Sequence, residues 1–107
     1  ERAGGGEASA HIAARVSHAR AVQRRRFRRA RIHCNAQMNS RQIRRYVRLG
    51  SSARDLLLAV GEARQLSARA LHRACKVART VADLGGSDAV TDEHISLALS
   101  LQRARWL

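Results

Sequence analysis

Apolar residues recur along this chain at steps of three and four, and no stretch keeps the two-residue alternation of a strand. From about Ser9 to Arg29, Ile12, Val16, Ala19, Val22 and Phe27 follow one another along one side of a predicted helix. The segment ARIHCNAQ loses that spacing and reads as a loop. Asn39 or Ser40 then caps a short helix with Ile43, Tyr46, Val47 and Leu49, ended by Gly50; small polar side chains take up first-turn N–H groups, and glycine accepts the backbone angles of a helix end. Ser51 or Ser52 restarts the chain into a helix from Ala53 to about Arg64 that turns Leu56, Leu57 and Val60 inward. Ser67 is placed to cap the next helix, which runs to LGGSD, where Gly85 and Gly86 provide the left-handed residue of a helix C-terminus. Thr91 caps the last, with Asp92 and Glu93 beside the positive end of the helix dipole and Ile95, Ala98 and Leu99 on its inner face. The pattern predicts an all-α fold, a small four- to five-helix bundle with short connections.

Composition agrees with the pattern. Proline is absent, and the glycines outside residues 4–6 fall mostly at the expected helix ends. Phe27, Tyr46 and Trp106 are the only aromatic residues, so the core is expected to be small and aliphatic, with modest stability. A chain of 107 residues is one domain, expected over residues 9–105, with the glycine-bearing residues 1–8 as a linker from a larger protein. The apolar run LLLAV, residues 56–60, falls far short of the roughly 20 residues of a membrane span, so no membrane partner is expected. Cys34 and Cys75 fit no metal or redox spacing and read as reduced thiols of a cytoplasmic protein. His33 beside Cys34 has no second ligand pair to complete a tetrahedral site, so no metal is expected.

Charge adds what hydropathy does not. The formal net charge is +13, and residues 8–54 hold arginines but no carboxylate, most densely in Arg24, Arg25, Arg26, Arg28, Arg29 and Arg31. Lys76 is the only lysine. Arginine presents a planar fork that pairs with phosphate in two places at once, so this run is a candidate surface for nucleic acid or for an acidic partner.

The helix opening at LSARALHRACKVART segregates its charge as well. On a wheel at about 100° per residue, Leu71, Ala74, Cys75, Ala78, Val81 and Ala82 share one side, while Arg69, Arg73, Lys76 and Thr80 cluster opposite. No carboxylate at i ± 4 relieves these cations, so an anion is expected in front of them. Arg69 falls in the first helical turn, where backbone N–H groups favour anions, and is the first candidate for phosphate contact. Arg73, Lys76 and Arg79 are secondary candidates, for phosphate or for an interface.

The run LSARALHRACKVARTVADLGGSDAVTDEHISLAL, with RVSHARAVQRRRF and NAQMNSRQIRRYVRL upstream, resembles the C-terminal domain of magnesium-chelatase-like AAA+ ATPases of the ComM/YifB type. The resemblance covers about Ala10 to Arg103. It departs at Leu71, where an aromatic is common, and at Ala74 and Cys75, which are smaller than the usual aliphatics; these touch packing more than the arginines. The resemblance implies that this is the AAA+ lid domain and that Arg69, in the motif Leu66-Ser67-Ala68-Arg69, is the sensor 2 arginine reading the phosphates of ATP. It further implies ATP with Mg2+ in the full-length protein, an N-terminal ATPase domain as partner, assembly into a homo-oligomer expected to be a hexamer, and DNA as a candidate substrate.

The chain itself has no G-x-x-x-x-G-K-[ST] loop and no apolar strand ending in Asp-Glu. No catalytic residue, no ATP hydrolysis and no tightly bound cofactor are expected of it alone. A competing reading is an autonomous basic DNA-binding domain, histone-like in its long helix followed by GGSDAVT and a short helix.

Overall fold

The computed structural model describes residues 2–104. They form five α-helices: α1 (Arg2–Arg26), α2 (Ser40–Tyr46), α3 (Ser51–Ala63), α4 (Ala68–Leu84) and α5 (Asp92–Ala104), with one 3-10 turn at Asn35–Gln37. Among the described residues there is no strand, only an isolated parallel bridge between Leu49 and Val90. No described helix is long and apolar enough to cross a membrane.

The predicted helix starts hold where a cap is written into the sequence. Asn39 caps α2 by accepting from the Gln42 N–H, and the Gln42 side chain accepts from the Asn39 N–H in return. The Ser67 hydroxyl accepts from the Ala70 N–H at the head of α4. Before α5, the Thr91 N–H donates to His94 Nδ1 and the Thr91 carbonyl accepts from Ile95. Ser52 also donates from α3 to Asp92, tying the starts of α3 and α5 together. At the end of α4, Gly86 takes the left-handed conformation at φ 72°, while the Ser87 N–H reaches back to the Ala82 carbonyl at 2.8 Å.

Other boundaries differ from expectation. α1 begins at Arg2 rather than near Ser9, carrying Gly4–Gly6 within it; interior glycine costs about 1 kcal/mol against alanine but does not forbid a helix. It ends at Arg26, and Phe27 to Ala30 form a turn closed by the Ala30 N–H on the Phe27 carbonyl. Ile12, expected on the packed face, is 56% exposed, because α1 is buried only from Ala19 onward. Gly50 does not end α2, which stops at Tyr46; it is the N-cap residue of α3, its carbonyl accepting from the Arg54 N–H. The left-handed residue after α3 is Gln65 at φ 53° rather than a glycine.

α4 is the hub, packing on α1, α2, the 3-10 turn and α5, while α3 packs on α5. Its buried Ala74, Cys75, Ala78 and Ala82 have small side chains that let the neighbours approach closely. Phe27, Met38, Ile43, Val47, Leu57, Val90, Ile95 and Leu99 fill the space between the helices. Phe27 meets Tyr46 edge to face, with ring centroids 5.4 Å apart. Gly61 on α3 faces the Leu71 side chain so closely that a Cβ there would lie 2.8 Å from it. The radius of gyration, 15.0 Å, exceeds the roughly 13 Å of a compact chain this long, and the first half of α1, exposed from Ala8 to Arg15, accounts for the excess.

Candidate functional site

The Ser67 cap sets where α4 begins, and that places Arg69 in the exposed first turn. Residues one and two turns further on, Arg73 and Lys76, lie on the same side of the helix, with His72 beside them. All four line a groove of about 610 Å³ between α4 and the segment that leads into α2, floored by Met38, Ile43 and Val77. No carboxylate lines it. The Lys76 ammonium donates to the Ala36 carbonyl at 3.1 Å, which fixes it at one wall. The structure thus brings together Arg69, Arg73 and Lys76, as the wheel predicted. Thr80 is not with them: it is half-buried and takes a hydrogen bond from Asn35 at 3.1 Å.

Arg79 is a correction to the sequence reading. Expected at a phosphate or an interface, it is only 2% exposed and turned into the domain. Its guanidinium donates to the Ser87 carbonyl at 2.6 Å, the Asp88 carbonyl at 2.7 Å and the Tyr46 carbonyl at 3.3 Å, and pairs with Asp83 one turn on at 3.1 Å. Its Nε is buried without a partner among the described residues. Burial pulls the Arg79 guanidinium below its ordinary pKa, while the Asp83 carboxylate opposes that shift. The side chain is a brace between α4, the end of α2 and the loop before α5.

Arg26 departs from expectation in the same way. Read as part of an outward basic run, it donates to both Asp83 oxygens at 2.8 Å and to the Asn35 side chain at 2.8 Å. Asn35, 1% exposed in what read as a plain loop, also donates to Asp83 at 2.8 Å and takes the Gln23 side-chain oxygen on its N–H. Burial raises the Asp83 carboxyl, but the hydrogen bonds from Arg26 and Asn35 and the two guanidinium charges outweigh it and hold the pKa below the usual carboxylate range. A carboxylate on the buried side of α4, one turn after Arg79, is the signal in the sequence that could have revealed this cluster.

Arg24, Arg25, Arg28, Arg29 and Arg31 are exposed, as expected. The structure adds neighbours that were not singled out: Arg29 shares a groove of about 350 Å³ with Arg41 and Arg45 of α2, and Arg25 shares one of about 370 Å³ with Arg48. Among the described residues, no group of three His, Cys, Asp or Glu side chains is placed to hold a metal ion.

Comparison with known proteins locates this architecture. The chain is 35% identical over 94 residues to the competence protein ComM of Haemophilus influenzae, an alignment that covers 88% of the chain. It is 39% identical over 99 residues, 89% of the chain, to the uncharacterized protein YifB of Escherichia coli. In each case it spans 18% of the length of that relative. No solved structure matches the chain significantly. The family model of the magnesium chelatase subunit ChlI C-terminal domain matches residues 6–102, so the all-α chain described above belongs to that family, as a C-terminal domain of the ComM/YifB type.

Proposed function

We propose that this domain is the helical lid of a magnesium-chelatase-like AAA+ ATPase and that Arg69 is its sensor 2 arginine. The observation that carries the reading is the placement of Arg69, exposed in the first turn of α4 behind the Ser67 cap, on a groove with Arg73 and Lys76 and no carboxylate. That donor set fits phosphate oxygens and does not fit a metal, so Mg2+ would be held by the ATPase domain. ATP with Mg2+ supplies the transferable phosphoryl group. What this chain adds is a fork on the terminal phosphate, with the N-terminal end of α4 behind it and two further cations alongside. Loss of that phosphate on hydrolysis removes the anion Arg69 holds, and the lid is released from the nucleotide domain; this couples chemistry to rotation.

In this reading the domain works only within a larger oligomeric motor, a hexamer by resemblance. The relative from H. influenzae is named a competence protein, which supports DNA as the motor's substrate here. The autonomous histone-like alternative gives no account of the Arg69 groove.

The test is Arg69→Ala in the full-length protein, measured as ATP turnover and as its stimulation by DNA. Turnover or its coupling is expected to fall by at least tenfold while nucleotide-free assembly persists; unchanged turnover and coupling would remove the assignment. Purified alone, this domain should show no ATP hydrolysis.

A further inference from the structure

The sequence placed a basic run on α1, but the fold builds something larger. The groove lined by Arg29, Arg41 and Arg45 and the groove lined by Arg25 and Arg48 share two wall residues, Arg26 and Tyr46. They therefore lie side by side and form one continuous track across the end of α1 and along α2. Its five rim arginines are exposed. Among the described residues the only ion pairs are those of Asp83, which take Arg26 and Arg79 and leave all five rim guanidinium groups without a carboxylate partner. No carboxylate lines the Arg29 groove, and one, Asp88, lines the other.

We propose that this track binds the phosphodiester backbone of duplex nucleic acid without reading its sequence. An extended row of arginines suits a repeating anion better than a single phosphate. A protein partner is disfavoured because stable protein interfaces have an apolar centre, and the exposed large apolar residues stand elsewhere: Leu58, Leu97 and Leu101 on α3 and α5, and Ile12 on α1 about 20 Å before Arg25. A second copy of this chain would bring another +13 to the same face. Single strands are held by stacking bases on exposed aromatic rings. The one ring on the track, Tyr46, is half-buried, packed on Phe27 and covered by the Arg45 guanidinium 5.3 Å from its centroid. The track lies apart from the Arg69 groove, with which it shares no lining residue, so this inference stands or falls independently of the sensor reading.

The test measures binding of the 107-residue chain to fluorescein-labelled duplex DNA of random sequence by anisotropy, across a salt series. Five phosphate contacts predict a slope of log K against log salt of about −4.5, and the triple variant Arg29→Gln, Arg41→Gln, Arg45→Gln should reduce it to about −2. A control triple of equal charge, Arg54→Gln, Arg64→Gln, Arg103→Gln, should keep most of the slope, and circular dichroism should show both variants folded. Arg69→Ala should leave DNA binding unchanged even if it abolishes sensing. The proposal is overturned if the control loses as much as the track variant, if binding is absent or insensitive to salt, if single strands bind more tightly than duplex, or if poly-glutamate competes as well as unlabelled DNA.

Discussion

Arg26 at the end of α1 and Asp83 near the end of α4, 57 residues apart in sequence, meet through two parallel hydrogen bonds of 2.8 Å. The same carboxylate receives Arg79 and Asn35, so one side chain joins α1, the 3-10 turn and α4. Asp83→Asn keeps the shape but leaves two guanidinium groups, one of them almost fully buried, without a counter-charge. Breaking a buried pair in this way costs about 3–5 kcal/mol, a large fraction of a small domain's stability. Urea unfolding should show that loss, whereas Asp55→Asn on the exposed side of α3 should stay within about 0.5 kcal/mol of the parent.

Acid should act through the same carboxylate. The folded-state pKa of Asp83 lies below its ordinary value, so its contribution is complete above the unfolded-state value of about 3.9 and is lost as pH falls through the folded one. Stability measured from pH 7 down to pH 2 should therefore decline steeply below about pH 4. Arg26→Gln removes the strongest partner that lowers this pKa, so the variant should be less stable at pH 7 and its decline below about pH 4 should be shallower.

Arg69 and Arg79 stand on one helix and should respond in opposite ways. Arg69→Ala removes an exposed side chain and should leave the melting temperature within a degree or two. Arg79→Ala strips the donors from three carbonyls and one partner from Asp83, and should cost about 3 kcal/mol or more. Hydrogen exchange should then accelerate across residues 85–90, the loop that Arg79 holds.

The turn between α3 and α4 offers one loss and one gain. Ser67→Ala removes the α4 cap and should cost about 1 kcal/mol. Gln65→Gly relieves a left-handed backbone at a residue with a Cβ, and should stabilise by a few tenths to about 1 kcal/mol. Thermal melts of the two variants should move in opposite directions.

The cysteines should differ in reactivity. Cys75 is buried in the core, and burial pushes its thiol up to about 11, so little thiolate forms at neutral pH. Cys34 is only partly buried. Native protein should release one equivalent of chromophore from a disulfide reagent at pH 8, and unfolded protein two.

What could be read from the sequence followed local rules. Asn39, Ser67 and the Gly85–Gly86 pair marked helix ends because caps and left-handed residues are short-range chemistry. The inner faces of α4 and α5 followed from a period of 3.6, and Arg69, Arg73 and Lys76 came out together for the same reason. Arg26 and Arg79 were misplaced because a charge counts alike in the sequence whether its partner is water or a carboxylate from another helix. Asn35 was invisible for the same cause: nothing in HCNAQ says that Asp83 will stand beside it. The α2 arginines were equally hidden, since only the turn at Phe27–Ala30 folds them back alongside the end of α1.

α1 is fastened to α4 twice, where Arg15 Nε donates to the Leu84 carbonyl at 3.2 Å and where Arg26 grips Asp83. These anchors are eleven residues apart, about 16 Å along the rod. A rod pinned at two points cannot swivel about either. Both anchors close on neighbouring residues of α4, Asp83 and Leu84, while Arg69 stands at the other end of that helix, about 22 Å from Leu84. The exposed leading half of α1 is thus joined to the helix that carries Arg69 at the opposite end of that helix from Arg69.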